Sequence, residues 1–151
     1  MKKSGKRVLA SGAFEILHPG HIKFLAEAKK IGGEGSKLIV VVARDETIKK
    51  RKGREPILDE ESRKEIVSML KPVDDVILGY TPPSFEKVME EVKPDIVVFG
   101  YDQDELMNKF KEFAEKYELK VEIIKIQKFP SNFSSTTEII ERIKNLFMNK
   151  I

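Results

Sequence analysis

The chain contains two histidines, and both lie in one tetrapeptide, His18-Pro19-Gly20-His21. Proline disfavours the α region for the residue before it, which places His18 just outside a helix. Pro19 suits the first helical position, where a backbone N–H is not needed. Gly20 has no side chain and lets a ligand approach the backbone. His21 then falls in the first turn. The expected product is two imidazoles beside a helix N-terminus whose free N–H groups attract anions. That arrangement suits a phosphate on which charge grows during reaction, since phosphoryl and nucleotidyl transfer rest on positioning and electrostatics. The quieter reading makes His18 a helix cap and His21 a packing residue. Zinc is disfavoured, because the chain has no cysteine and no third histidine to complete a tetrahedral site.

A second cluster is cationic. Lys49-Lys50-Arg51-Lys52-Gly53-Arg54 holds five cations in six residues, and without them the net charge of +3 becomes −2. As a mobile loop bending at Gly53 it could close over a triphosphate and stabilise a pyrophosphate leaving group. The alternatives are a solvated charge run or an RNA-binding patch. Aromatics interleaved with the lysines, expected of a nucleic-acid surface, are missing there. Arg63, within Asp59-Glu60-Glu61-Ser62-Arg63, can grip a phosphate bidentately or pair with Asp59 or Glu60 at helical spacing. Asp102, soon after Gly100, can accept from a ribose hydroxyl or a base amino group, or cap the next helix, as Asp104 equally can. Ser135-Thr136-Thr137-Glu138 fits a capping box. The hydroxyls of Ser134, Ser135 and Thr136 at that helix start would make a second anion site. Phe129 and Tyr101 can stack on a base or belong to the core.

These residues need a frame that brings them together. The stretches 7–12, 38–43, 73–78, 95–99 and 120–126 read as strands, with 38–43 a continuous apolar run. The stretches 19–31, 59–70, 83–92, 104–117 and 135–149 read as helices, the third entered through Pro83. Alternating strands and helices imply βαβ units and an α/β, Rossmann-like, doubly wound five-stranded parallel sheet. Ligands bind such sheets outside the carboxyl ends of the strands. The segments 12–21, 44–54, 100–103 and 127–137 all follow strands, so the suspect residues fall where a site belongs.

Composition narrows the function further. A chain of 151 residues with 40% apolar content predicts a single domain, 1–151. No run of 18 apolar residues exists and no signal-peptide core follows Met1-Lys2-Lys3, which predicts a cytoplasmic protein without a membrane partner. Neither Gly-x-x-x-x-Gly-Lys-Ser/Thr nor Gly-x-Gly-x-x-Gly is present, which argues against a P-loop ATPase and a dinucleotide dehydrogenase.

The segment Gly12-Ala13-Phe14-Glu15-Ile16-Leu17-His18-Pro19-Gly20-His21 resembles the Gly-x-Phe-Asp-x-x-His-x-Gly-His signature of the cytidylyltransferase-like nucleotidyltransferases. Arg44-Asp45-Glu46-Thr47, Arg63, Gly100-Tyr101-Asp102-Gln103 and Ser134-Ser135-Thr136-Thr137 extend the match over almost the whole chain. Within that superfamily, Lys52-Gly53-Arg54-Glu55-Pro56 and Gly100-Tyr101-Asp102-Gln103 look most like the archaeal FAD synthases, which adenylate FMN with ATP. The resemblance implies ATP held by Gly12, Ala13, Phe14, His18, Pro19, Gly20, His21, Asp102, Phe129, Ser134, Ser135 and Thr136. It implies catalysis by His18, His21, Arg63 and Lys49 or Lys52, a divalent metal such as Mg²⁺, and a homodimer. Glycerol 3-phosphate or phosphopantetheine as acceptor, or a nucleotide-binding regulator without catalysis, are the competing expectations. Two residues depart from the pattern. Glu15 replaces the usual Asp, moving a carboxylate expected to orient phosphate or metal. Pro130-Ser131 stands where cytidylyltransferases have Arg-Thr, which counts against glycerol 3-phosphate; Lys128 is a candidate for the lost charge.

Overall fold

The computed structural model describes residues 5–133 and 135–148. Its elements in chain order are β1 (Arg7–Gly12), α1 (Pro19–Ile31), β2 (Lys37–Val42), α2 (Asp45–Lys52), α3 (Glu60–Ser68), β3 (Asp75–Leu78), α4 (Phe85–Val92), β4 (Ile96–Phe99), α5 (Asp104–Lys116), β5 (Glu122–Lys125) and α6 (Thr136–Phe147). The strands form one parallel sheet in the order β3-β2-β1-β4-β5. This is the doubly wound α/β architecture expected from the alternating pattern.

The two-residue period of a strand sorts each apolar run onto two faces. Val8 and Ala10 of β1, Leu38, Val40 and Val42 of β2, and Ile96 and Val98 of β4 pack with Leu25 and Ala28 of α1 and Val67 of α3. Their alternates, Leu9, Ile39, Val41, Val97 and Phe99, pack with Val92 of α4 and Phe110 and Ala114 of α5. Runs that are apolar throughout are therefore required, because both faces are covered.

Element boundaries differ from expectation in several places: α3 spans Glu60–Ser68, β5 Glu122–Lys125 and α6 Thr136–Phe147, each shorter than expected, and three further differences have clear causes. The cationic segment is a helix, α2, and not a loop: Asp45 and Glu46 lie in its first turn and Lys49 to Lys52 in its last, matching the helix dipole. Gly53 ends it in the left-handed region, φ 67°. β3 begins at Asp75, because Val73 closes a turn onto the Leu70 carbonyl and the Asp74 carboxylate accepts the Leu38 N–H at 2.7 Å. α4 begins after Pro83, with Ser84 as its cap accepting from Lys87 N–H. No helix among the described residues is long and apolar enough to cross a membrane.

Candidate active site

The carboxyl ends of β1 and β4 lie side by side where the strand order reverses, the place where open α/β sheets bind ligands. Gln103 ties this point together. Its side-chain amide donates to the Ser11 carbonyl at 3.1 Å and accepts the Gly100 N–H at 2.8 Å. Sequence reasoning assigned Gln103 no role of its own. Its partner Ser11 lies 92 residues away, and no local pattern encodes such a bond.

His18 is the N-cap of α1, and its Nδ1 accepts the Gly20 N–H at 3.1 Å. The His21 Nδ1 accepts the His18 N–H at 3.3 Å, completing a capping box built from two imidazoles. The rings stack with centroids 3.8 Å apart. With each Nδ1 accepting, each neutral ring carries its proton on Nε2 and offers it as a donor. Burial pushes His21 down to about 4, aided by His18 and the Lys52 charge. Burial also lowers His18, against the opposing pull of Glu138 and Asp102. Both rings are thus neutral donors at neutral pH. One expectation changes here: the Gly20 N–H is held by His18, so the rings rather than the open backbone present the donors. Pro19 takes the first helical position as expected.

Phe14 adopts φ 52°, a strained conformation for a residue with a side chain. The turn seats its ring against Gly12, where an added Cβ would meet it at 2.9 Å, and 5.3 Å from the His21 ring centroid. Phe14 is 5% exposed, so its ring buttresses the site from the core and is not open to ATP. The Gly12 carbonyl accepts the Ala43 N–H, and the Ala13 carbonyl is held by Arg63.

Glu15 is 1% exposed. Its carboxylate meets Lys52 Nζ at 2.6 Å and Arg54 at 2.9 Å, and also accepts the Ile57 N–H. Burial raises the carboxyl, but the Arg54 and Lys52 bonds outweigh it and hold the group below the usual range. Glu15 therefore anchors the end of α2 and has no oxygen left over for a metal. The same contact brings Lys52 close enough to bear on His21. Lys49 instead pairs with Glu46 at 3.3 Å and Glu55 at 3.1 Å.

Arg63 is fully buried. It donates to the carbonyls of Leu58, Ala13 and Ala43 and to Asp45 Oδ1, all within 2.9 Å. Neither expected partner applies: the ion pair is to Asp45 rather than Asp59 or Glu60, and the guanidinium has no open face for a phosphate. Asp59 is the cap of α3, accepting from Ser62 N–H.

Asp102 is exposed and does not cap α5, whose N-cap is Gln103. It lies near enough to His18 to influence it, as does Glu138 in the first turn of α6. The start of α6 has Ser135 as its cap, accepting from Glu138 N–H, and Thr136 as its first residue. Ser134 lies outside the described residues. Phe129 packs half-buried against the α1–α3 core, and Lys128 stands over the Tyr101 ring at 5.4 Å. A cavity of about 690 Å³ reaches the sheet edge at Gly12 and Asp102 and continues between the strands and α4 and α5. No group of three or more metal-ligating side chains occurs among the described residues, and the Glu15 carboxylate is engaged, so these residues do not fit a resident metal cage.

The profile of the cytidylyltransferase-like family matches residues 9–142. The chain belongs to the cytidylyltransferase-like family. Its relatives there include the FAD synthase of Methanopyrus kandleri, 48% identical over 95% of both chains. The FAD synthase of Korarchaeum cryptofilum is 45% identical over 97% of both. Among solved structures, the lipopolysaccharide core biosynthesis protein of Thermoplasma volcanium is similar with TM-score 0.76 and 43% identity, over 84% of this chain and all of that one. In this member of the cytidylyltransferase-like family, His18 and His21 cap α1 and the nearby Glu15 binds Lys52 and Arg54.

Proposed function

We propose that this protein is an FAD synthase, transferring AMP from ATP to FMN and releasing pyrophosphate. The observation that carries the transfer chemistry is the histidine capping box at the sheet's switch point, with two Nε2 donors aimed away from the bonds that fix them. The choice of FMN and ATP rests on the FAD synthases at 48% and 45% identity over nearly the full length.

In this reading a phosphate oxygen of FMN attacks the α-phosphorus of ATP in line. The bond from that phosphorus to the bridging oxygen breaks, and the electron pair leaves with pyrophosphate. The attacking phosphate is already ionised near neutral pH, its second pKa being about 6, so no general base is needed. His18 and His21 donate to the oxygens on which charge builds. Lys52 supplies positive charge beside His21 and takes the leaving pyrophosphate. Asp102 and the capped start of α6 lie on the nucleoside side. Mg²⁺ arrives with ATP as part of the substrate. The enzyme is cytoplasmic, and its partners are small molecules rather than nucleic acid.

The test is pyrophosphate release and FAD formation by purified protein with Mg²⁺, ATP and FMN. CTP, glycerol 3-phosphate and phosphopantetheine serve as comparators. The expected result is FAD formed from ATP and FMN alone, falling roughly 100-fold or more in His21→Ala. Release with a different pair would keep the transfer chemistry and replace the substrate.

A further inference from the structure

The carboxyl edge of the sheet opens because β1 and β4 part before they end. β1 pairs with β2 along its whole length, from Arg7↔Lys37 to Gly12↔Val42. With β4 it pairs at Val8↔Ile96 and Leu9↔Val97. The ladder stops there, although β1 continues to Gly12 and β4 to Phe99. Backbone groups at such a gap need partners from side chains or a ligand. Gln103 is such a partner to both strands. Its Oε1 accepts the Gly100 N–H just past β4 at 2.8 Å, and its Nε2 donates to the Ser11 carbonyl of β1 at 3.1 Å. One backbone partner is a donor and the other an acceptor, which fixes the end of the amide that faces each strand.

Glutamine is an unusual choice here. Gln103 is the N-cap of α5, a position that favours Ser, Thr, Asp or Asn, and its side chain makes no cap bond. The amide reaches back across the gap instead. The Gln103 N–H also donates to the Gly100 carbonyl at 3.1 Å, so residues 100 and 103 are joined twice and the turn between them is closed. Asp102 lies inside that turn. A Cβ at Gly100 would meet Asp102 Oδ1 at 3.2 Å and Gln103 Oε1 at 3.5 Å, so both side chains fold over the glycine. A side chain at 103 that serves both strands must donate and accept at once. A carboxylate offers the Ser11 carbonyl no donor, a hydrocarbon offers neither group, and asparagine is one methylene shorter.

We infer that Gln103 is a positioning residue for the nucleotide: its amide bridges β1 and β4 where they part and fixes the turn that presents Asp102 to the nucleoside of ATP. This rests on the FAD synthase reading for the identity of the ligand. Gln103 takes no part in making or breaking bonds and acts through Asp102. A carboxylate held in a closed turn is ordered before the ligand arrives, so binding spends little free energy on ordering it. Without the bridge, the Ser11 carbonyl loses this donor and Asp102 is free to swing away from the edge. The loss then falls on ATP binding, and only as far as Asp102 contributes to it.

A double-mutant cycle tests this. ATP with Mg²⁺ is titrated calorimetrically into the wild type, Gln103→Met, Gln103→Glu, Asp102→Ala and the double variant Gln103→Met/Asp102→Ala, with a thermal melt of each. Gln103→Met removes both bonds at similar volume, whereas Gln103→Glu keeps the acceptor for Gly100 and removes the donor for Ser11. The expected result is a rise in Kd of about tenfold in both single Gln103 variants. That rise should shrink to about twofold or less when Gln103→Met is made in the Asp102→Ala background. The fall in Tm should be the same in either background, so a merely structural role cannot produce the shrinkage. Additive losses of affinity, or an unchanged Kd in folded Gln103→Met, would overturn the assignment. A measurement on the wild type covers variants that fail to fold. The Gln103 side-chain amide protons should exchange with water more slowly than those of the exposed Asn108, and more slowly still at saturating ATP. Exchange that ignores ATP would also overturn it. If the losses are coupled and the wild type makes no FAD from ATP and FMN, the positioning role stands and the enzyme reading falls. If FAD forms and the losses add, the enzyme reading stands and the positioning role falls. A wild type that binds no ATP would remove both.

Discussion

At the scale of single residues, the two imidazoles act as caps and as donors at once. Each uses Nδ1 to fix the start of α1 and leaves Nε2 as its remaining donor. Protonating His21 turns its Nδ1 into a donor facing the His18 N–H, which breaks the cap. Its folded value of about 4 lies below the unfolded 6.5, so the unfolded chain binds more protons between those values. The stability it contributes is fully present above about 6.5 and is lost as pH falls toward 4, by up to roughly 3 kcal/mol. Urea unfolding between pH 7 and 4 should show this loss, and His21→Asn should flatten it. The two lysines separate just as clearly. Lys52 sits beside His21 through its bond to Glu15, whereas Lys49 faces Glu46 and Glu55. Lys52→Ala should therefore lower kcat by roughly 100-fold, as expected for a lost charge-stabilising donor, and Lys49→Ala by less than about threefold. Equal losses in steady-state kinetics would contradict that division.

At the scale of elements, α2 decides where the cations go. A run of lysines and arginines read along the chain suggests a solvated, bending loop. Placed in the last turn of a helix that opens with Asp45 and Glu46, the same charges favour helical order. Gly53 then turns the chain so that Arg54 joins Lys52 on Glu15. At φ 67° with open space around its missing Cβ, a side chain there meets no clash and only the left-handed backbone resists it. Gly53→Ala should cost about 1 kcal/mol, or about 2–4 °C in Tm. Gly53→Asn should cost less, since Asn tolerates that region. Calorimetry on the two variants checks the order.

At the scale of the whole molecule, Arg63 joins segments that are distant in sequence. Its guanidinium gathers the carbonyls after β1 and β2, the approach to α3, and the Asp45 carboxylate at the start of α2. Arg63→Met leaves these acceptors buried without donors and should cost about 3–5 kcal/mol. Lysine cannot restore a planar fork, so Arg63→Lys should rescue little of it. Denaturant unfolding measures the loss. Since Arg63 faces no open crevice, KM for ATP in the folded fraction of Arg63→Met should stay within about threefold of wild type.

The sheet was legible in the sequence because strands buried on both faces must be apolar throughout, and 38–43 and 96–99 are. The histidine box was legible because its geometry is local: a proline, a glycine and two imidazoles within four residues determine their own backbone and bonds. The roles of Glu15, Arg63, Lys52 and Gln103 were not. A carboxylate or a guanidinium has the same local signature whether it meets solvent, a phosphate or a buried partner. Their partners lie 37 residues away for Glu15 and Lys52, 50 for Arg63 and Ala13, and 92 for Gln103 and Ser11. By itself the sequence determined the alternation of elements, the motif at the first strand end, and hence the family and the phosphate chemistry. Only the tertiary structure decided which charges serve the frame, which reach the histidines, and where α4 and α5 leave room beside them, because those outcomes depend on which distant side chains packing brings within hydrogen-bond range.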